Sequence, residues 1–334
     1  MRITRDALLK AARDVVNQRA RVDRSLVSVY VVGSLLTEEP LLGGTTDIDL
    51  VFVQNQAPLQ PREVMRLTAE VSLDIAYYNE TEYRQPRHLR VHPWLGSSLC
   101  ETRIVLYDTQ HWFEFTQSGV GSQFYNPENV LARSRLQADK ARSIWLALQS
   151  ETGPYVQSLL SFLKSVKSAG NAVASLSGAP LTERRFLLNF PQRAGAIERP
   201  GLAAGLSGLL GSDLGEPEEM RTWLPAWHAA LMALAGAKDI PVRLSASRLP
   251  YYEKAVEAML GSDHPQAALW PLLRTWTLAC SCLPADSPHL SAWLAACDHL
   301  GLGPDQMNEK LSALDAYLDN IEETLEKWGS ENGV

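Results

Sequence analysis

No apolar run in the 334 residues reaches the roughly 20 needed to cross a bilayer. The polar start MRITRDALLKAARD also has no signal-peptide core. Cysteine is scarce: Cys100, Cys280, Cys282 and Cys297 form no paired framework, so reduced thiols in a cytosol are expected. Gly at 21 and Pro at 19 are not in excess, which excludes a collagen-like, low-complexity or mostly disordered chain. Nor is positive charge in excess. A net charge of −7 argues against a protein that coats nucleic acid, whose affinity would rest on neutralising phosphates. Patterns of the type Gly-x-x-x-x-Gly-Lys-Ser/Thr, Gly-x-Gly-x-x-Gly, His-Glu-x-x-His and Gly-x-Ser-x-Gly are missing too. These absences leave a soluble, cytoplasmic chain without membrane contact. It is long enough for about two domains and for a core that needs no disulfide or structural metal.

What is present reads as two texts. In residues 1–118, Thr4 caps a helix that runs to about Arg21, with Leu8, Leu9, Ala12, Val15 and Val16 at helical spacing. Strands follow at Leu26 to Val32, Asp47 to Val53, Val71 to Tyr78 and Thr102 to Asp108, and Arg62 to Glu70 reads as a short helix. Gly119-Val120-Gly121 reads as linker, and His88 and His92, set among arginines, as a basic surface loop. Residues 127–330 read as helices from Leu131 to Gln149, Tyr155 to Ser177, Thr182 to Asn189, Met220 to Gly236, Tyr251 to Leu260, Ala267 to Leu283, Ser291 to Leu300 and Asp305 to Trp328, separated by Gly and Pro. Residues 195–215 fit either a loosely packed helix or a loop. Tryptophans of this half read as core, as do the thiols of Cys280 and Cys282. The fold class is α+β: a domain with a small mixed β-sheet followed by an all-α domain.

Charge is uneven along the chain. Residues 131–199 carry ten basic side chains against four acids, and residues 305–334 carry eight acids against two lysines. The acidic run is read as a solvated helix face. For the basic run two readings stay open, a solvated face or a place that holds polyphosphate.

The chemistry-bearing feature is Gly33-Ser34, twelve residues, then Asp47-Ile48-Asp49. Alternate side chains of a strand share a face, so Asp47 and Asp49 project together while Ile48 and Leu50 point into a core. Two like charges this close repel unless a cation sits between them, and Mg²⁺ is commonly held by one or two carboxylates plus substrate phosphates. Asp74 interrupts the apolar text of the next strand and can join the pair from ~4.8 Å away. Three carboxylates can hold two metal ions ~4 Å apart. Gly33 permits close backbone approach at the strand end, and Ser34 with exposed amides can bind phosphate oxygens.

Val31-Val32-Gly33-Ser34, Asp47-Ile48-Asp49-Leu50 and Asp74 resemble the polymerase-β-type nucleotidyltransferase superfamily over residues ~25–110. Gly43-Gly44 and the strand ending at Asp108 are similar to its antibiotic-modifying and minimal branches. Residues 171–185 loosely resemble the spectinomycin/streptomycin-type adenylyltransferases. The resemblance implies transfer of a nucleoside monophosphate from an NTP, ATP by preference, to an acceptor hydroxyl with loss of pyrophosphate. Asp47, Asp49 and Asp74 would be the catalytic and metal-binding carboxylates of a two-ion Mg²⁺ site, with Asp74 completing the second position or acting as general base. Gly33 and Ser34 would hold β/γ-phosphate oxygens, and Lys140, Lys164, Lys167, Arg184 and Arg185 are candidates to neutralise the triphosphate. A small-molecule acceptor leads. Transfer to a macromolecule (a tRNA end or a protein hydroxyl) is the second reading, and a non-catalytic nucleotide-binding module the third.

Overall fold

The computed structural model describes residues 3–237 and 240–334; Met1 and Arg2, the head of the polar start, lie outside the described residues. The chain divides into two units, Met1–Val130 and Leu131–Val334.

The first unit is built on one five-stranded sheet: β1 (Leu26–Val32), β2 (Thr46–Gln54), β3 (Arg62–Arg66), β4 (Val71–Asn79) and β5 (Val105–Asp108), in the order β3-β4-β2-β1-β5. β2 and β4 pair in parallel and the other neighbours antiparallel, so the sheet is mixed, as expected. Helix α1 (Arg5–Val22) starts where expected, with the Thr4 side chain accepting the Ala7 N–H at 3.2 Å. Its buried stripe of Leu8, Leu9, Ala12 and Val16 packs on Val29, Val31, Ile48, Leu50, Phe52, Leu73 and Ile75. The alternation of each strand therefore sends its odd set in β1 and β4, and its even set in β2, to the α1 face.

Within the first unit, helices cover part of the opposite face. Tyr30, Val51, Val53 and Tyr78 meet α2 (Pro86–Val91), α3 (Leu95–Glu101) and α4 (Trp112–Phe124) through Leu89, Leu95, Leu99, Phe113, Val120 and Phe124. Three sequence readings are corrected here. Gly119 to Gly121 lie inside α4 rather than in a linker, because Val120 is a core residue of that helix. Residues 86–91 form a helix rather than a surface loop, and His92 Nδ1 accepts the Leu95 N–H that opens α3, at 2.9 Å. Arg62 to Glu70 is an edge strand and turn, not a helix. Arg, Glu and Met favour helices weakly. Here the ladder to β4 and the contacts of Glu63 with Arg19 (2.6 Å) and the Tyr77 hydroxyl (2.7 Å) override that preference.

The second unit holds helices α5 (Pro127–Leu148), α6 (Tyr155–Ala174), α7 (Phe186–Ala196), α8 (Gly201–Leu209), α9 (Pro217–Met232), α10 (Leu249–Leu260), α11 (Leu269–Cys280), α12 (His289–His299) and α13 (Met307–Glu331), with no strand among the described residues. Segment 195–215, left open between helix and loop, contains α8. From Ser165 to Ala174, α6 is buried on all but one residue, and α11 is nearly all buried, so polar side chains such as Asn171 and Thr275 make their hydrogen bonds inside the unit. Trp227 and Trp293 are core residues, their indole N–H groups donating to the Thr275 and Thr277 hydroxyls on α11 at 3.0 and 3.1 Å. Cys280 is a core thiol, pushed up to about 12 by burial, whereas Cys282 falls past the end of α11 and is exposed. No helix among the described residues is long and apolar enough to cross a membrane.

The acidic run is not only a solvated face. Asp315, Asp319 and Glu322, one turn apart on α13, all grip the Arg142 guanidinium on α5. Spacings of four and three residues align side chains on one helix face, and that face meets a partner.

Candidate metal centre

The register of the two central strands assembles the site. In β2 the side chains of Asp47 and Asp49 share the face away from α1, while Ile48 and Leu50 are buried against α1. The parallel pairing sets Asp49 opposite Asp74 and Asp47 opposite Ser72. Asp74 thus lands on the same face, and one oxygen from each of the three carboxylates lies within 4.8 Å of the other two. Asp47 and Asp74 are buried and Asp49 is partly exposed. Further along the same face of β2 come Val51 and Val53, which α2, α3 and α4 cover. One strand face therefore changes from acidic to apolar where the helical cover begins.

β1 contributes the adjoining turn. Val32 pairs with Asp49, and the chain then enters a short 3₁₀ turn, Gly33–Leu36. Gly33 has φ +73°, and a Cβ there would lie 2.3 Å from Asp49 Oδ2 and 2.9 Å from its Cγ. Only glycine lets this backbone turn left-handed and pass so close to the carboxylate. Ser34 is half-buried. Its hydroxyl lies 3.1 Å from Thr46 Oγ1, which itself donates to the Pro40 carbonyl at 2.9 Å. Gly43 and Gly44, both at positive φ, make the two-residue turn that returns the chain through the Leu42–Thr45 bridge into β2.

One member of the site was not singled out in the sequence. Arg62 of β3 donates from Nε to Asp74 Oδ1 at 2.6 Å and from Nη2 to Asp74 Oδ2 at 2.7 Å. This two-pronged pair follows from register. Arg62 sits opposite Ala76, so Asp74 is its diagonal neighbour on the same face. The local signal was Pro61, which suits the start of an edge strand but was outweighed by helix-forming residue types.

Three carboxylates that converge without a thiolate or imidazole make a hard oxygen donor set, and such sets suit Mg²⁺, Mn²⁺ or Ca²⁺. The residues fit a divalent ion: the triad could hold a metal, and Gly33 leaves the space in which the Asp49 carboxylate stands.

The five basic candidates lie in the second unit. Lys140 and Lys164 are exposed. Lys167 Nζ pairs with Glu183 at 2.7 Å, and Arg243 and Arg274 approach the same carboxylate at 3.5 Å. Burial works to raise Glu183, but the three cations together hold its carboxyl below the usual range; burial pulls Lys167 down despite Glu183. The Arg184 guanidinium lies 3.4 Å over the Tyr251 ring and donates to the Tyr251 carbonyl at 2.9 Å. Arg185 is half-buried at the start of α7.

Comparison with models of protein families and with curated proteins returns no match.

Proposed function

We propose that the chain is a Mg²⁺-dependent nucleotidyltransferase that moves a nucleoside monophosphate from an NTP, ATP by preference, to a hydroxyl of a small-molecule acceptor, releasing pyrophosphate. The observation that carries this reading is the convergence of Asp47, Asp49 and Asp74 from two parallel strands beside the close-approach turn at Gly33. Asp47 and Asp49 would hold the metal, with Asp74 as third carboxylate. Bound Mg²⁺ would carry the triphosphate charge and make the acceptor hydroxyl easier to deprotonate. Asp49, the partly exposed member, would face the substrates, and buried Asp47 would fix the ion against the sheet. The exposed backbone at Gly33 and the Ser34 hydroxyl would receive the leaving phosphates.

The small-molecule acceptor gains support from what the basic run does. Arg142 is gripped by three acids of α13, Lys167 by Glu183, Arg193 donates to the Ser177 and Ala179 carbonyls, and Arg133 is buried. A surface that binds RNA needs its cations free to displace counterions, and much of this charge is engaged inside the second unit. The test is incubation with Mg²⁺ and each labelled NTP, alone and with tRNA, lysate protein or a panel of aminoglycosides and lincosamides. Label on a small acceptor supports the proposal. Label on RNA or protein moves the acceptor to the macromolecular reading. Absence of Mg²⁺–NTP binding by calorimetry removes the nucleotidyltransferase reading altogether.

A further inference from the structure

Arg62 and the acidic triad form a charge set that is not symmetric between its members. Asp74 is buried at 3% exposure, and both of its oxygens accept from one guanidinium. The Arg62 side chain is 51% exposed and comes from β3, the edge strand of the sheet. The carboxylate is therefore fixed by the sheet, while the guanidinium can swing into solvent. A fork of two N–H groups takes the lone pairs that a carboxylate offers most readily, so Asp74 is the weakest of the three as a metal donor while Arg62 is in place. Charge points the same way. For as long as the guanidinium stays on Asp74, a second ion would stand against a positive charge a few ångströms away, a strong repulsion at the effective dielectric of a protein site.

We infer that Arg62 is a built-in cation of this site: it holds Asp74, limits the resting centre to one divalent ion on Asp47 and Asp49, and admits a second ion only when it leaves Asp74. The inference rests on the reading of the triad as a metal centre and adds to it how occupancy is controlled. Arg62 is a positioning residue in this scheme, acting through Asp74. Its release would couple arrival of the second ion, which travels with a triphosphate, to a movement of the edge strand's side chain.

The test is Mn²⁺ binding to the full chain without nucleotide, followed by calorimetry and by the electron paramagnetic resonance signal of free Mn²⁺. The wild type is expected to bind one ion. Arg62→Gln, which removes the charge and one prong of the fork, is expected to bind two, with the first about tenfold tighter or more. Arg62→Lys, which keeps the charge without the fork, should retain one ion with affinity between the two. Thermal unfolding without metal establishes that each variant is folded, and if Arg62→Gln is not, the Arg62→Lys shift decides alone. An Arg62→Gln protein with unchanged or weaker binding and one ion overturns the inference, since Arg62 would then only brace Asp74. The metal reading fails separately: there, neither wild type nor Arg62→Gln binds Mn²⁺, and Asp49→Asn changes nothing.

Discussion

The two units each hold a cluster of charged side chains, one made of converging acids and the other built around a single acid. In the sheet, three carboxylates converge, and Asp74 among them holds the Arg62 guanidinium. In the helices, Glu183 meets Lys167, Arg243 and Arg274. The difference lies in how the charges are held. Asp47, Asp49 and Asp74 project from adjacent strands whose register leaves them no choice of distance, and short side chains cannot retreat from one another. The cations around Glu183 stand on long flexible stems from separate elements and converge on the one acid they share. Carboxylates pressed together by register repel and are relieved by a cation, whereas the long-stemmed cations of the helices gather on the acid they share, with Glu183 Oε1 and Arg274 Nε and Nη1 still lacking hydrogen bonds. The carboxylate cluster is thus a candidate for binding and the Glu183 cluster a device of folding.

Removing the central acid of the helical cluster gives the largest expected effect. Glu183→Gln leaves Lys167, Arg243 and Arg274 around a neutral amide. The loss in unfolding free energy should be about 3 kcal/mol, the low end for a broken buried ion pair, because the Arg243 side chain stays partly in water. The carboxyl is held below its ordinary value in the fold, so its contribution is present above the unfolded-state pKa and fades as pH falls through the lower folded one. Denaturant midpoints of wild type and variant, measured from pH 7 downward, should therefore converge in acid. Asp47→Asn should do the reverse in metal-free buffer, leaving stability unchanged or raised because a like charge is gone. A clear loss there would erase the distinction between the clusters.

Next in size is stabilisation by the ion itself. Mg²⁺ at one hundred times its dissociation constant should add about 2.7 kcal/mol to the wild type, visible as a melting-temperature rise of about 5 °C. Asp49→Asn should abolish the rise, and Glu183-directed changes should leave it intact. A rise that survives in Asp49→Asn would place the ion elsewhere.

How much of this was legible follows the same divide between short-range and long-range geometry. The alternation of Asp47-Ile48-Asp49-Leu50 stated its own two faces, and Ser72, Asp74 and Ala76 did the same for β4. The cap at Thr4 and the stripe of α1 were equally local. Arg62 was hidden because its role depends on the antiparallel register of β3 on β4, while Arg, Glu and Met, taken alone, lean toward helix. α4 was missed although Phe113, Val120 and Phe124, spaced seven and four apart, carry the helical period; two glycines outweighed it. The Glu183 cluster could not be read at all, since Lys167, Arg243 and Arg274 meet only through packing of distant helices.

Two glycines of the first unit share a left-handed φ but differ in what surrounds them. Gly33 and Gly44 have φ of +73° and +72°, but a Cβ at Gly44 meets nothing within 4 Å, while one at Gly33 meets the Asp49 carboxylate. Gly44→Ala should cost about 1–2 kcal/mol for the left-handed backbone alone and leave Mg²⁺ affinity unchanged. Gly33→Ala should carry the same strain and also displace Asp49, weakening Mg²⁺ binding by about tenfold, equivalent to about 1.4 kcal/mol. Calorimetric titration of both variants separates strain from site geometry, and equal affinities would show that Asp49 tolerates displacement.

The smallest effect belongs to the ion pairs on α13, which test whether surface charge in the helical unit behaves like the cluster around Glu183. Arg142 is gripped by Asp315, Asp319 and Glu322, but those acids are well exposed, with side-chain exposures of 40%, 64% and 49%. A network can exceed a lone surface pair, yet solvent screens each contact, so Arg142→Ala should cost about 1 kcal/mol. Part of that loss comes from packing on Trp145, whose ring centroid lies 5.3 Å from the guanidinium. Raising salt to about 1 M shortens the screening length to roughly 3 Å and should remove most of the ionic share while leaving the packing share. Glu183→Gln should keep its penalty at the same salt, because its cluster is shielded from the solvent ions. Equal salt sensitivity in the two variants would mean that the Glu183 cluster is as wet as the α13 face, and the helical unit would then lack a buried ionic core.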